Sequence, residues 1–238
     1  MHHLDQQTVS YVTGLSGDKL SSAMNRIATV IAEDGLCGEL NESGSSALHE
    51  FYASVAIETG HEYGSLADRA ARFAAGAHAR VGQRRKYSGE PYIVHPKEVA
   101  TLVATVTSDQ EMIAAAWLHD TVEDTDVELD DILREFGAEV AELVSDLTDV
   151  SRKEDGNRKV RKEIDRLHTA RASKRAKTIK LADLISNTRS IVDRDVNFAR
   201  VYLAEKKRLL EVLGDGSAVL YGAALELYEE SMLKIQPA

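Results

Sequence analysis

The segment WLHDTVEDT, residues 117–125, concentrates side chains that can do acid–base or metal chemistry. One imidazole and three carboxylates fall within six residues of the chain: His119, Asp120, Glu123 and Asp124. Neighbouring carboxylates repel one another, and a bound cation is the usual way to hold such charges beside an apolar core. The alternative is a helix C-terminus followed by an acidic, solvent-exposed turn, and the segment taken alone favours this alternative.

Two more distant residues make a metal site the better interpretation. His95 directly precedes a proline, and Asp183 lies in the apolar helical stretch IKLADLISNT, with Asn187 one turn later on the same face. A mixed nitrogen and oxygen donor set results, contributed by His95, His119, Asp120 and Asp183. Such a set suits Mn2+, Fe2+ or Zn2+ better than Ca2+ or Mg2+. For the adjacent pair His119 and Asp120 to bind one ion, the preceding helix must end or distort there.

An all-α fold is expected to position these residues. Aromatic residues make up 5% of the chain, and nearly every segment has a helical rather than an alternating hydrophobic period. The pattern predicts helices near residues 20–31, 48–55, 66–81, 108–119, 125–136, 138–149, 174–192, 197–213 and 217–234.

Prolines and capping residues predict where some of these helices begin. Pro91 and Pro96 bracket the stretch PYIVHP, which predicts an extended, non-helical excursion over residues 83–95. A further helix is predicted to start at Pro96. The three-residue spacing of a capping box occurs at two other helix starts, Ser108 with Glu111 and Thr125 with Glu128.

Charge is distributed unevenly along the chain. The net charge is −10, which argues against general affinity for a nucleic acid polymer or an anionic membrane. Residues 1–62 hold two basic and nine acidic side chains, whereas residues 151–180 hold twelve basic and four acidic ones. The basic segment, with Lys174, Arg175, Lys177 and Lys180 at its end, either attracts a small polyanion or forms a solvated helix face.

Apolar runs and cysteine content restrict the class of protein further. The longest uninterrupted apolar run is residues 112–118, which is too short for a membrane span or the apolar part of a secretion signal. The single cysteine, Cys37, cannot form an internal disulfide, and cysteine-based zinc sites are excluded. We therefore expect a cytoplasmic protein.

Three separated blocks of the sequence resemble one known family. They are AHARVGQRRKYSGEPYIVHP (77–96), AAWLHDTVEDT (115–125) and IKLADLISN (179–187). In order and spacing they resemble the hydrolase domain of the RelA/SpoT family. The chain looks closest to the stand-alone small alarmone hydrolases of the metazoan SpoT-homologue type, within the HD-domain phosphohydrolase superfamily. The resemblance covers roughly residues 66–192 and implies an HD-domain helical bundle.

The resemblance also implies an activity and a role for each matching position. It implies metal-dependent hydrolysis that removes the 3′-pyrophosphate of ppGpp and pppGpp, or of their adenosine analogues. The positions that match the family's ligands for a single ion, usually manganese, are His95, His119, Asp120 and Asp183. Glu123 and Asp124 match the acidic pair that acts on the attacking water. Arg85 and Lys86 match substrate-binding cations, and Asn187 matches a polar residue of the substrate pocket.

Two positions and one missing region depart from the family pattern. Leu184 stands where the family usually has a basic residue, and Ser186 replaces a bulky one, so the pocket for the base differs. The long bifunctional members continue into a synthetase domain, which the roughly 45 residues after Asp193 cannot hold. We therefore expect degradation of alarmones without synthesis.

The predicted organisation has two parts, and alternative functions stay open. Residues 1–62 are expected to be an acidic helical extension, and residues 63–238 the hydrolase domain, with the motifs in 66–192 and packing helices over 197–234. Another HD-type nucleotide phosphohydrolase, such as an NADPH 2′-phosphatase, is the alternative among enzymes. A catalytically silent nucleotide-binding module is the alternative outside enzymes.

Overall fold

The computed structural model describes residues 61–62 and 64–235. Within these ranges the chain forms helices, turns and a single isolated β-bridge, so the prediction of an all-α fold is confirmed for the described part. The helices predicted near residues 20–31 and 48–55 lie outside the described residues. None of the described helices is long and apolar enough to cross a membrane.

The described residues divide into two units, one up to Val94 and one from His95 onwards, which we describe separately. The first contains α1 (Leu66–Arg80), which confirms the predicted helix and is capped by the Ser65 side chain accepting the amide of Asp68. The next stretch is non-helical up to Ile93, as predicted, but residues 84–91 fold back in a turn rather than running extended. The turn is closed by a bridge between Arg84 and Pro91. Gly89 lies within this turn and has φ +73°, a conformation that glycine adopts readily.

The second unit is a bundle of helices. In chain order they are α2 (Val94–Ala104), α3 (Gln110–Leu118), α4 (Thr121–Asp124), α5 (Leu129–Phe136), α6 (Ala138–Leu147), a 3₁₀ turn (Lys153–Asp155), α7 (Arg158–Arg171), α8 (Lys174–Val192), α9 (Val196–Leu210) and α10 (Ala218–Lys234). The hydrophobic period of the sequence does not predict α7 as a separate helix. Its basic composition leaves only Asp165 and Thr169 buried, so it has little apolar stripe to detect.

Helix α8 is the centre of this bundle. It packs against α3, α6, α9 and α10. Because it is surrounded, it is apolar on several faces, with Ile179, Leu181, Ala182 and Ile185 essentially inaccessible to solvent. Any polar side chain on α8 that points inward is therefore held rigidly and away from water.

Three predicted helix starts are wrong in detail. Helix α2 begins at Val94, two residues before Pro96, so that residue occupies the first turn rather than starting it. Asp109, not Ser108, caps α3, because its carboxylate accepts the first free amides of that helix. Helix α5 is capped at Glu128 rather than Thr125. Asp131 supplies the capping contact there by accepting the Glu128 amide.

Candidate metal centre

A break between two helices presents the His119–Asp120 pair. Helix α3 ends at Leu118, the pair occupies a turn, and the single-turn helix α4 starts at Thr121. The buried hydroxyl of Thr121 donates a hydrogen bond of 2.7 Å to the carbonyl of Leu118, which ties the two sides of the break together. The interruption required for both side chains to face one point is therefore present.

Four donor atoms from three parts of the second unit lie close together. His95 Nε2 lies 3.2 Å from His119 Nε2, 3.5 Å from Asp120 Oδ2 and 3.2 Å from Asp183 Oδ1. His119 Nε2 lies 3.2 Å from Asp120 Oδ2 and 3.8 Å from Asp183 Oδ1. Ligands about 2.1 Å from one ion and at right angles to each other are separated by about 3 Å. The spacing of these atoms therefore fits a single small cation.

The electrostatics of the cluster favour a positive charge at its centre. His95, His119 and Asp183 are buried. Burial disfavours the charged form of His119, but the carboxylates of Asp120 and Asp183 outweigh it and raise the pKa of His119 to about 9. Burial also opposes ionisation of Asp183, yet Lys180 and then His95 hold its pKa well below the usual range. The donor set therefore fits a divalent metal ion, whose positive charge would balance the carboxylates of Asp120 and Asp183.

Both imidazoles have a second hydrogen bond on the side away from the cluster. His119 Nδ1 lies 2.8 Å from the carbonyl of Ala116, which can only accept, so this nitrogen carries the proton. His95 Nδ1 lies 2.9 Å from Ser186 Oγ, and that hydroxyl donates to Glu98 Oε2 at 2.6 Å. Partners of this kind fix the tautomer of a metal-binding histidine and leave Nε2 to bind the ion.

Two side chains of α8 hold Asp183 from either side along the helix. Lys180 Nζ lies 3.2 Å from Asp183 Oδ2, and Asn187 donates to Asp183 Oδ1 at 2.6 Å. Although burial lowers the pKa of Lys180, the carboxylates of Asp183, Asp149 and Glu123 raise it above the ordinary value. Asn187, expected in the substrate pocket, thus contacts the cluster itself.

Glu123 and Asp124 lie on α4, directly after the cluster. The amide of Asp149 donates to Glu123 Oε1 at 2.5 Å. Glu123 is exposed, yet the protein atoms around its carboxyl group displace part of its hydration and the Asp149 carboxylate repels it, and together they raise the pKa of Glu123 to about 7. A carboxylate with such a pKa suits general acid–base work at neutral pH. Asp124 ends the same turn, and its amide donates to the carbonyl of Asp120.

Arg85 and Lys86 lie in the turn of the first unit. The Arg85 guanidinium stands 6.0 Å from the ring centre of Tyr92, and Lys86 Nζ stands 4.9 Å from that of Tyr87. The Arg85 amide donates to the carbonyl of Glu90, so the turn fixes the backbone beneath these cations. Within this unit both side chains therefore lie against aromatic rings.

Most cations at the start of α8 make ion pairs within the protein. The Arg175 guanidinium contacts Asp109, Glu111 and Glu139 at 2.7 to 3.1 Å. Lys177 Nζ lies 3.5 Å from Asp215. With Lys180 beside Asp183, these charges are used in packing the bundle and in holding the cluster. Their use in these contacts argues against the polyanion site that their clustering in the sequence suggests.

Several residues of the site were missed by reasoning from the sequence. Lys180 was named only as part of the basic segment, and its pairing with Asp183 was missed, although the three-residue spacing on a helix indicates contact. Glu98 follows His95 by three positions, but its link runs through Ser186, 88 residues further along the chain. Asp149 lies 26 residues from Glu123, and no local signal in the sequence connects them.

Comparison with curated proteins finds partial matches. A probable guanosine-3′,5′-bis(diphosphate) 3′-pyrophosphohydrolase of Synechocystis sp. is 49% identical over 84 residues, 35% of this chain and 11% of that protein. Guanosine-3′,5′-bis(diphosphate) 3′-pyrophosphohydrolase of Aquifex aeolicus is 44% identical over 84 residues, with coverage of 35% and 12%. A GTP pyrophosphokinase of Streptomyces coelicolor is 40% identical over 111 residues, with coverage of 46% and 13%. The chain thus spans 11 to 13% of the length of these relatives.

A solved structure and a family model cover more of the chain. The structure is of a metazoan ortholog of SpoT described as hydrolysing ppGpp and playing a role in starvation responses. It matches with a TM-score of 0.64 at 29% identity, over 71% of this chain and 97% of that one. The family model for the HD domain matches residues 70–209, more than half of the chain, and that range contains all four clustered donors. On this match, the chain belongs to the HD domain family.

Proposed function

We propose that the chain is a metal-dependent hydrolase that removes the 3′-pyrophosphate of guanosine or adenosine alarmones. One observation carries the proposal: two imidazoles and two carboxylates converge on one point, with a carboxyl group of raised pKa beside them. The names of the Synechocystis and Aquifex relatives and the description of the metazoan structure support the choice of substrate.

We assign the metal ligands to His95, His119, Asp120 and Asp183, and the native ion to Mn2+. The balance of two nitrogen and two oxygen donors supports a transition ion over Mg2+ or Ca2+. When bound, a divalent ion polarises a phosphoryl oxygen and lowers the pKa of water. Asn187 and Lys180 then act on Asp183, keeping one of its oxygens directed to the cluster and neutralising the other.

Glu123 is the residue we assign to take the proton of the attacking water. Its Oε1 accepts the amide of Asp149, so the carboxyl group is held in place and Oε2 is the oxygen assigned to the proton. The raised pKa places its change of charge near neutral pH, where proton transfer in both directions is easy. Asp124, next to it on α4, is assigned to proton delivery to the leaving group.

Arg85, Lys86 and Asn187 are the residues we assign to substrate contact. A substrate bearing two diphosphates needs cations beyond a single metal ion, and Arg and Lys supply charge and hydrogen-bond donors to phosphate. We further propose that residues 63–238 form the hydrolase domain, preceded by an acidic extension over residues 1–62, and that the enzyme works in the cytoplasm.

A parallel assay of three nucleotides tests the proposed activity. The Mn2+-loaded protein is incubated with ppGpp, ppApp and NADPH, and the products are identified by chromatography and mass. We expect pyrophosphate from ppGpp or ppApp, and no product from an Asp183→Ala variant. Orthophosphate from NADPH alone would instead indicate a 2′-phosphatase. Binding of nucleotides without any turnover would indicate a silent binding module and contradict the proposal.

A further inference from the structure

We propose that Ser186 and Glu98 form a relay that positions His95 for metal binding. The inference rests on the proposed function, because it concerns the same metal centre, and it assigns roles to two residues outside the ligand set. Glu98 lies one turn after His95 on α2, and Ser186 lies one turn after Asp183 on α8. A single hydroxyl therefore connects two helices that each carry a ligand.

The relay runs from the buried centre towards solvent. His95 and Ser186 are buried, and their polar atoms are 2.9 Å apart. Ser186 Oγ lies 2.6 Å from Glu98 Oε2, and Glu98 itself is exposed. A buried imidazole nitrogen without a partner would be costly, and the hydroxyl of Ser186 satisfies it. Because Glu98 is exposed, it can be substituted with little effect on packing.

Counting protons gives the direction of both hydrogen bonds. A hydroxyl has one proton, and an ionised carboxylate only accepts, so Ser186 donates to Glu98. Ser186 Oγ must then accept from His95, which places the ring proton on Nδ1. The lone pair of His95 Nε2 consequently faces His119, Asp120 and Asp183. The carboxylate strengthens the chain because hydrogen bonds to charged groups are shorter and stronger than neutral ones.

His95 differs from His119 in how its tautomer is held. His119 uses the main-chain carbonyl of Ala116, which no side-chain substitution removes. His95 depends on two side chains, so its orientation can be altered without touching a ligand. Removing such outer contacts typically lowers metal affinity about 10- to 100-fold. A hydrogen bond that served only folding would change stability and leave the affinity for metal unaltered.

The affinity for Mn2+ alone, measured by titration calorimetry on the full chain, tests the relay. Ser186→Ala should raise the Kd for Mn2+ about 10- to 100-fold. Glu98→Ala should raise it in the same direction, whereas Glu98→Gln, whose amide oxygen still accepts from the hydroxyl, should retain affinity close to that of the unchanged protein. Because Glu98 acts through Ser186, the double Ala variant should lose no more affinity than Ser186→Ala alone.

Matched controls separate the relay from general damage. Ser190→Ala changes a serine one turn further along α8, and Glu142→Gln changes an exposed carboxylate of α6; both should bind Mn2+ normally. Thermal unfolding without metal checks that each variant folds. Should Ser186→Ala fail to fold, the comparison of Glu98→Ala with Glu98→Gln decides, since that position is exposed. Unchanged affinity in the folded Ala variants, or additive losses in the double variant, would overturn the relay.

Hydrolysis assays distinguish failure of the relay from failure of the proposed function. If the wild-type protein hydrolyses ppGpp and the variants bind Mn2+ as tightly as it does, the relay alone is contradicted. An unchanged protein that binds Mn2+ but hydrolyses none of the nucleotides would contradict the proposed function and leave the relay to be judged on the affinities. An unchanged protein that binds no Mn2+ would overturn both.

Discussion

Lys180 lies one turn before Asp183 on the central helix α8, and its Nζ is 3.2 Å from Asp183 Oδ2. The lysine side chain is 17% exposed, and Glu123, Asp149 and Asp120 also act on its charge. A basic residue that the sequence suggested for substrate binding is thus the internal counter-charge of the cluster. The lysine neutralises one oxygen of the aspartate and leaves the other directed to His95.

Replacing this counter-charge should destabilise the protein without metal. In Lys180→Met, Asp183 stays buried without its cation, and we expect a loss of about 3 kcal/mol in the free energy of unfolding. Added Mn2+ should recover part of the loss because it supplies positive charge at the same place. Urea unfolding with and without Mn2+ measures both effects. The control Lys174→Met changes an exposed lysine on the same helix, and equal stability of the two variants would contradict this role.

The assigned ligand set predicts the result of removing one carboxylate. Asp183→Ala should abolish both stoichiometric Mn2+ binding and turnover, because the ion would lose the oxygen that faces both imidazoles. Metal content after dialysis and the rate of pyrophosphate release are the measurements. Asp193→Ala, at the exposed end of the same helix, serves as the control. Full metal content and turnover in Asp183→Ala would show that the site is assigned wrongly.

The assigned acid–base pair predicts loss of rate with retention of metal. Glu123→Gln or Asp124→Asn should bind Mn2+ normally and lower kcat about 100- to 10,000-fold, the usual contribution of one general acid or base. Steady-state kinetics beside calorimetric titration gives both quantities. Normal turnover in a variant that binds metal would show that the substituted residue has no catalytic function and is only part of an exposed turn.

The pH dependence of the rate should follow Glu123. A general base works when ionised, so with a pKa of about 7 the value of kcat/KM should fall as the pH drops below neutrality. Asp149→Asn removes a carboxylate that raises this pKa while keeping the amide that donates to Glu123. The acidic limb of the pH profile at saturating Mn2+ should therefore move to lower pH. A limb that stays in place would exclude Glu123 as the titrating base.

The turn of the first unit predicts effects on substrate capture. Arg85→Ala and Lys86→Ala should mainly raise KM and make the remaining affinity less sensitive to salt, because a fixed cation attracts a multiply charged ligand through screened electrostatics. Kinetics at two ionic strengths tests this, with the exposed Lys207→Ala as the control. Unchanged KM in both variants would show that this turn does not contact the substrate.

Reasoning from the sequence was sufficient where the signal is local. For the described residues, helical periodicity predicted the all-α fold and most helix bounds. Helix α5 ends at Phe136, the predicted residue, and Gly137 follows it with φ +87°. The helix also breaks at His119 and Asp120, which one ion bound by adjacent residues requires. Residue types alone indicated a transition-metal donor set. The roles of these residues remain predictions.

Only the tertiary structure decided which distant side chains share a site. Ser186 reaches both His95 and Glu98 because α2 and α8 bring them together, and Asp149 meets Glu123 across 26 residues. Arg175 likewise meets Asp109 through packing rather than proximity in the chain. Periodicity reports which face of a helix is buried but not which helix covers it. Contacts between helices, and the pKa values that follow from them, are therefore properties of the folded chain.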